Sequence, residues 1–168
     1  MRSVYLAGFD VFLPDAVAHG ERLKTLCATY GFEGLFPLDN AAPPELSGPA
    51  LAQWIYRANV ALIRRADMVM ANLNPFRGAE PDSGTAFEVG YAIACGKPVW
   101  GYTSQSGTLI DQVAVGAAAD DGASHMVDAQ GHTVEDFGLN LNLMLACSAR
   151  IVTGGPADCL ARMARERA

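Results

Sequence analysis

Short apolar runs alternate with helix-length segments along nearly the whole chain, and this alternation restricts the fold more than any other feature. Val4 to Gly8 is a short apolar run closed by glycine and reads as a buried first strand. Asp15 opens a helix to about Tyr30, with Val17, Leu23, Leu26 and Cys27 as its apolar stripe. Phe32 to Leu38 fits a second strand, and the loop from Asp39 to Pro49 holds three prolines and resists regular structure. A longer helix from about Pro49 to Ala66 places Pro49 near the first turn, where a missing amide is tolerated. Asp67 to Leu73 reads as the third and central strand, followed by a loop, a helix, and a fourth strand over Lys97 to Tyr102. Residues 103 to 136 are polar and glycine-bearing and give the weakest pattern. Gly138 to Ala149 reads as helix, Arg150 to Thr153 as a last strand and Pro156 to Arg167 as a closing helix.

Such alternation predicts an α/β fold with a parallel sheet and helices on both faces. Ligands of these sheets bind at the carboxyl ends of the strands, where strand order reverses. The loops Phe9 to Pro14, Asp39 to Pro49 and Asn74 to Asp82 all fall on that edge. At 168 residues, with no repeat or linker, one domain over 1–168 is expected. A formal charge of −6 argues against non-specific nucleic-acid binding. No segment approaches eighteen consecutive apolar residues and no cleavage site follows Met1, so neither a membrane span nor a signal peptide is indicated. Cys27, Cys95, Cys147 and Cys159 show no paired spacing, which suggests reduced, buried thiols in a cytoplasmic protein. His19, His125 and His132 lack metal-ligand spacing, so no metal or other cofactor is expected.

Within this pattern Glu88 stands apart. It is the only formal charge between Asp82 and Lys97, on a helix otherwise made of Ala86, Phe87, Val89, Ile93 and Ala94. A carboxylate on a mostly buried helix is costly unless something pairs with it or uses it. Two readings stand. Thr85-Ala-Phe-Glu88 matches a capping box, in which the glutamate satisfies a helix-start amide. If Asp82 or Ser83 caps the helix instead, Glu88 falls on the second turn and serves as a nucleophile. The helix dipole would then help keep it ionised.

Asp82 is either an N-cap or the second carboxylate that glycosyl transfer needs. Asp67, at the start of the central strand, reads as a structural turn residue. Gly84 allows close backbone approach, and the loop residues Pro75, Phe76 and Arg77 are placed for ligand contacts. Arg77 pairs with Glu80 or Asp82, the reading we favour, or binds an anion. Gly8 closes the first strand without a dinucleotide-binding glycine pattern, and no phosphate-loop motif is present. Phe9 and Phe12 bring aromatic faces to the ligand edge, with Phe12 either stacking on a planar ring or, with at least one of the pair, serving the core.

Tyr5-Leu-Ala-Gly-Phe-Asp-Val-Phe-Leu-Pro-Asp15, Pro37-Leu-Asp-Asn40, Asn74 through Tyr91 and Asn142-Leu-Met-Leu145 together resemble the nucleoside 2-deoxyribosyltransferases. The resemblance implies a flavodoxin-like, doubly wound five-stranded parallel sheet. It also implies a retaining, two-step exchange of a deoxyribosyl group between purine or pyrimidine bases. Glu88 matches the nucleophile, Asp82 the group that protonates the base, and Tyr5 the hydroxyl that orients the nucleophile. Asp39 falls within the second motif and is implied to contact substrate. Asn142 and Met144 match residues lent to a neighbouring subunit, which implies a homo-oligomer with Asn142 on the sugar 5'-hydroxyl. The chain departs from some members at Asn59, where they carry an aspartate, and at Ala41, where they carry a glutamine; base preference therefore stays open. Hydrolysis, with water replacing the acceptor base, is the alternative on the same machinery.

Overall fold

The structure, a computed structural model, describes residues 1–120 and 123–166. Its main sheet has five parallel strands, β1 (Arg2–Ala7), β2 (Phe32–Leu35), β3 (Met68–Asn72), β4 (Val99–Thr103) and β7 (Arg150–Thr153). Their order is β2-β1-β3-β4-β7, so strand order reverses between β1 and β3. This is the doubly wound arrangement expected of the alternating pattern.

Period-two alternation along the strands divides the core into two layers. Val4, Leu6, Met68 and Met70 face α1 (Ala16–Thr29) and α6 (Pro156–Arg165), meeting Leu23, Cys27, Leu160 and Met163. Tyr5, Ala7, Val69 and Ala71 face α2 (Gly48–Arg65) and α3 (Ser83–Ala94), meeting Leu62, Ile63, Val89 and Ala92. Every residue of β3 is buried, as a central strand covered on both faces requires. Asp67 is the structural residue expected: its carboxylate accepts from Ser3 N at 2.7 Å and Ser3 Oγ at 3.1 Å.

The ends of α2 and α3 are tied together. A Schellman pattern closes α3, with Lys97 N donating to Ala92 O and Gly96 N to Ile93 O. Lys97 Nζ then donates to Arg64 O and Ala66 O at 2.8 and 2.7 Å, placing a cation at the C-terminus of α2.

Several expectations change. Val17 is exposed; the buried line of α1 is Ala16, Gly20, Leu23 and Cys27. Gly20 lies so close to Phe36 that a Cβ there would stand 2.4 Å from its ring. The second strand ends at Leu35, and Pro37–Asp39 forms a 3-10 turn instead of its continuation. Residues 103 to 136 hold a short helix α4 (Leu109–Val113) and an antiparallel pair, β5 (Gly116–Asp120) and β6 (Ala123–Val127). Residues 121 and 122 of that stretch lie outside the described residues, as does Arg167 of the expected closing helix. The segment from Gly138 to Ala149 is not one helix. Its helical part is the single turn α5 (Leu143–Ala146), capped by Asn142. All four thiols are free, but only Cys27 and Cys159 are buried; Cys95 and Cys147 are exposed. No described helix is long and apolar enough to cross a membrane.

Candidate active site

Helix α3 starts where the carboxylate of Asp82 accepts from Thr85 N at 2.9 Å and from Thr85 Oγ1 at 3.0 Å. The N-cap reading of Asp82 therefore holds, and the capping box over Thr85 and Glu88 does not form. With the helix beginning at Ser83, Glu88 lies on its second turn, beyond the amides a cap must satisfy. Asp82 Oδ1 accepts no hydrogen bond among the described residues and is left for another partner.

Glu88 points from α3 toward β1 because β1 turns its odd-numbered residues to the α2–α3 face. There the wholly buried Tyr5 donates its hydroxyl to Glu88 Oε1 at 2.5 Å. Burial pushes the Glu88 carboxyl up to about 7, hydrogen bonding from Tyr5 and Asn59 opposes that rise, and the charge of Asp82 adds to it. Burial therefore outweighs any help from the helix dipole. Tyr5 itself moves far above the ordinary tyrosine range, first through burial and then through the adjacent Glu88 charge, so it acts only as a donor.

In front of the Glu88 carboxylate lies a cavity of about 400 Å³ at the carboxyl edge of the sheet, large enough for a heterocyclic base with its sugar. Six residues named from sequence line it: Gly8, Phe12, Asn59, Asp82, Gly84 and Glu88. Its apolar wall comes largely from residues given no role from sequence: Trp54 and Ile55 lie outside the quoted motifs, and Val11 and Leu38 lie inside them, with Asn40 as a further polar group. The periodicity of α2 marks Trp54 and Ile55 only as helix-face residues. Their convergence on β1 and the second loop is a tertiary fact.

Other sequence candidates sit elsewhere. Phe76 is stacked between Phe9 and Phe12, with centroids 5.0 and 5.3 Å apart and both pairs inclined by 10°. Phe12 thus meets the cavity with one part and Phe76 with its face. Arg77 makes no ion pair with Glu80 or Asp82; its guanidinium lies over Phe76 at 4.6 Å and Phe12 at 5.3 Å, a cation–π arrangement. Pro75 belongs to the same loop and does not line the cavity. Asp39 is also absent from the cavity wall: its carboxylate accepts from Phe36 N at 2.9 Å and Lys24 Nζ at 2.7 Å, fixing the turn that aims Leu38 and Asn40 inward.

Asp10 and Asn72, unmarked in the sequence, lock the loops together. Asn72 Nδ2 donates to the buried Asp10 at 2.9 Å, and Asn72 Oδ1 accepts from Asn74 Nδ2 at 2.7 Å. Gly8 is required beside them, since a Cβ would stand 2.3 Å from Asp10 Oδ2 and 2.8 Å from Asn72 Cβ.

Asn142 and Met144 line a separate groove on another face of α3, with Pro81, Ala86 and Ile93. Met144 is 72% exposed and Phe87, on the outer face of α3, 50%. Among the described residues no group of His, Cys, Asp or Glu could hold a metal ion.

A family model described as nucleoside 2-deoxyribosyltransferase matches residues 4–144. An uncharacterized protein of Schizosaccharomyces pombe is 34% identical over 155 residues, covering 84% of this chain and 74% of its own length. The solved 2-desoxiribosyltransferase from Leishmania mexicana is 32% identical, with a TM-score of 0.77 and complete coverage of both chains. A 2-deoxyribosyltransferase from Bacillus psychrosaccharolyticus shares the fold at 20% identity and TM-score 0.52, over 67% of this chain and 83% of its own.

Proposed function

Because the chain belongs to the nucleoside 2-deoxyribosyltransferase family, we propose that it moves a 2-deoxyribosyl group between nucleobases through an ester on Glu88. The observation that carries this reading is the Glu88 carboxylate, held from behind by Tyr5 and opening beside Asp82 into an apolar cavity. In the first step a Glu88 oxygen attacks the anomeric carbon while the glycosidic C–N bond breaks. The bonding pair leaves with the base, and Asp82 supplies a proton to it. In the second step a nitrogen of the incoming base attacks the same carbon, returns a proton to Asp82 and releases Glu88. Covalent catalysis divides one hard displacement into two easier ones, and two inversions retain configuration. Lacking a 2'-hydroxyl, the deoxyribosyl cation is less destabilised, so the two carboxyls and Tyr5 suffice without a metal.

The groove bearing Asn142 and Met144 supports a homo-oligomer in which these residues complete a neighbouring site. Exposed apolar side chains such as Met144 and Phe87 are the kind that a second subunit covers.

The direct test is incubation with deoxyinosine and excess adenine, with products separated by chromatography. Deoxyadenosine is the expected product. Free deoxyribose as the sole sugar product would replace transfer by hydrolysis, and no turnover of any deoxynucleoside would remove both.

Attack requires ionised Glu88, so kcat/KM rises with pH along an acid limb near 7. Tyr5→Phe deletes a bond that stabilises the charged form. The limb then moves to higher pH, and kcat at neutral pH falls by roughly tenfold or more. An unchanged limb would show that the Tyr5 hydroxyl does not act on Glu88.

A further inference from the structure

Arg77 stands in a backbone conformation that costs energy. Its φ of 56° is the one left-handed value at a non-glycine residue among the described residues. Glycine or asparagine is the ordinary choice there, because a Cβ crowds the carbonyl. Such an outlier persists only where the surroundings hold it, and outliers of this kind gather at functional sites. The side chain shows what the conformation achieves: it lays the guanidinium over Phe76 at 4.6 Å and over Phe12 at 5.3 Å.

Phe12 is the ring that gains from this. It lines the cavity that Glu88 and Asp82 also line, yet it is 57% exposed. It ends a four-residue 3-10 turn, Phe9–Phe12, that has no side-chain cap. A ring so exposed exchanges rotamers freely unless something lies on it. Phe76, seated between Phe9 and Phe12, and Arg77 supply that cover. The loop beneath them is pinned. Asn74 Oδ1 accepts from Ser104 N and Ser104 Oγ, both at 2.8 Å, and Phe76 N donates to Glu80 O at 2.9 Å. Its far end runs into the helix cap at Asp82.

We propose that Arg77 is a positioning residue: through the stack of Phe9, Phe76 and Phe12 it fixes the Phe12 wall of the cavity and so sets affinity for the ligand. A wall already in place spares a planar ligand the entropy of ordering it. Arg77 does not touch the reacting atoms. The ligand, a nucleobase or its deoxynucleoside, is taken from the deoxyribosyltransferase reading, on which the inference rests.

The test measures two quantities in wild type and variants: kcat and KM for deoxyinosine with adenine as acceptor, and the Kd of adenine alone by calorimetry. Arg77→Gly raises both KM and Kd by roughly three- to tenfold. Its kcat stays within about twofold, the pattern of binding lost equally from ground and transition states. Its thermal midpoint holds or rises, since glycine accepts the left-handed backbone. Arg77→Lys keeps a cation over the rings and recovers part of the loss. In a Phe76→Leu background the glycine substitution adds little, because one of the rings that seat the guanidinium is gone. Additive effects in that background overturn the proposal and would mean that Arg77 meets a ligand directly. An unchanged Kd in Arg77→Gly overturns it, and so does a lowered midpoint with kcat and binding falling together. A wild type that binds adenine without turning over deoxyinosine defeats the transferase reading alone, and a weaker Kd in Arg77→Gly still upholds this inference. A wild type that does neither defeats both.

Discussion

Glu88→Gln stops turnover of every deoxynucleoside, with a loss of about four orders of magnitude or more in kcat, as expected when a covalent nucleophile is removed. The same substitution stabilises the fold. In the folded chain the Glu88 carboxyl titrates near 7, against an ordinary value of 4.5, so folding favours its protonated form. Below pH 4.5 the group is protonated folded or unfolded and has no effect. As pH rises from 4.5 through 7 the folded state must either keep the proton or bury a charge. The resulting destabilisation is complete above 7, at about 3 kcal/mol. Glutamine keeps the shape and an acceptor for the Tyr5 hydroxyl, and it never ionises. Urea unfolding across this range should show variant and wild type equal at low pH and separating as pH rises. Wild-type rates in the variant would remove Glu88 from its role, and a stability difference independent of pH would remove the buried charge as its cause.

In the proposed mechanism Asp82 carries two duties on one carboxyl, helix cap and proton donor, and two substitutions separate them. Asp82→Asn still accepts from Thr85 N and keeps the helix start, but it has no carboxyl proton to give a departing base. Its kcat falls by roughly 10²- to 10⁴-fold, with little change in stability. The loss is smallest for deoxynucleosides whose base leaves readily without protonation. Removing the Asp82 charge also relieves Glu88, so the acid limb moves to lower pH. Asp82→Ala suffers the same loss in rate and gives up the cap besides, about 1 kcal/mol of stability. Equal rate losses across good and poor leaving bases would reduce Asp82 to a cap.

The strands were legible because a parallel sheet writes near-continuous apolar runs, and Asp67 to Leu73 is such a run. The start of α3 was legible because Asp82 and Ser83 compete with Thr85 as caps, and the earlier residue won. The buried line of α1 was not. Gly20 is small because Phe36 presses against it, Ala16 is buried beside it on the same line, and small residues do not announce an apolar stripe. The helix expected over 138 to 149 shrank to one turn because Asn142 caps it from within that span. At the site, Glu88, Asp82 and Tyr5 carried chemical oddity or motif resemblance, and the fold brings them close together. Trp54 and Ile55 carried neither; only tertiary folding shows that they wall the cavity. Arg77 looked like an ion-pair partner by sequence proximity, yet its loop turns it onto two phenyl rings.

Tyr5 is completely buried, and its hydroxyl closes the inner side of the Glu88 carboxylate. An ester formed at Glu88 would therefore face outward only, through the opening by which the first base departs. Water and the second base would have to queue at one doorway, already blocked while the first base lingers. The ratio of transfer to hydrolysis is then a matter of traffic. It follows from how promptly a new base replaces the old, and it rises with acceptor concentration until the doorway is never empty.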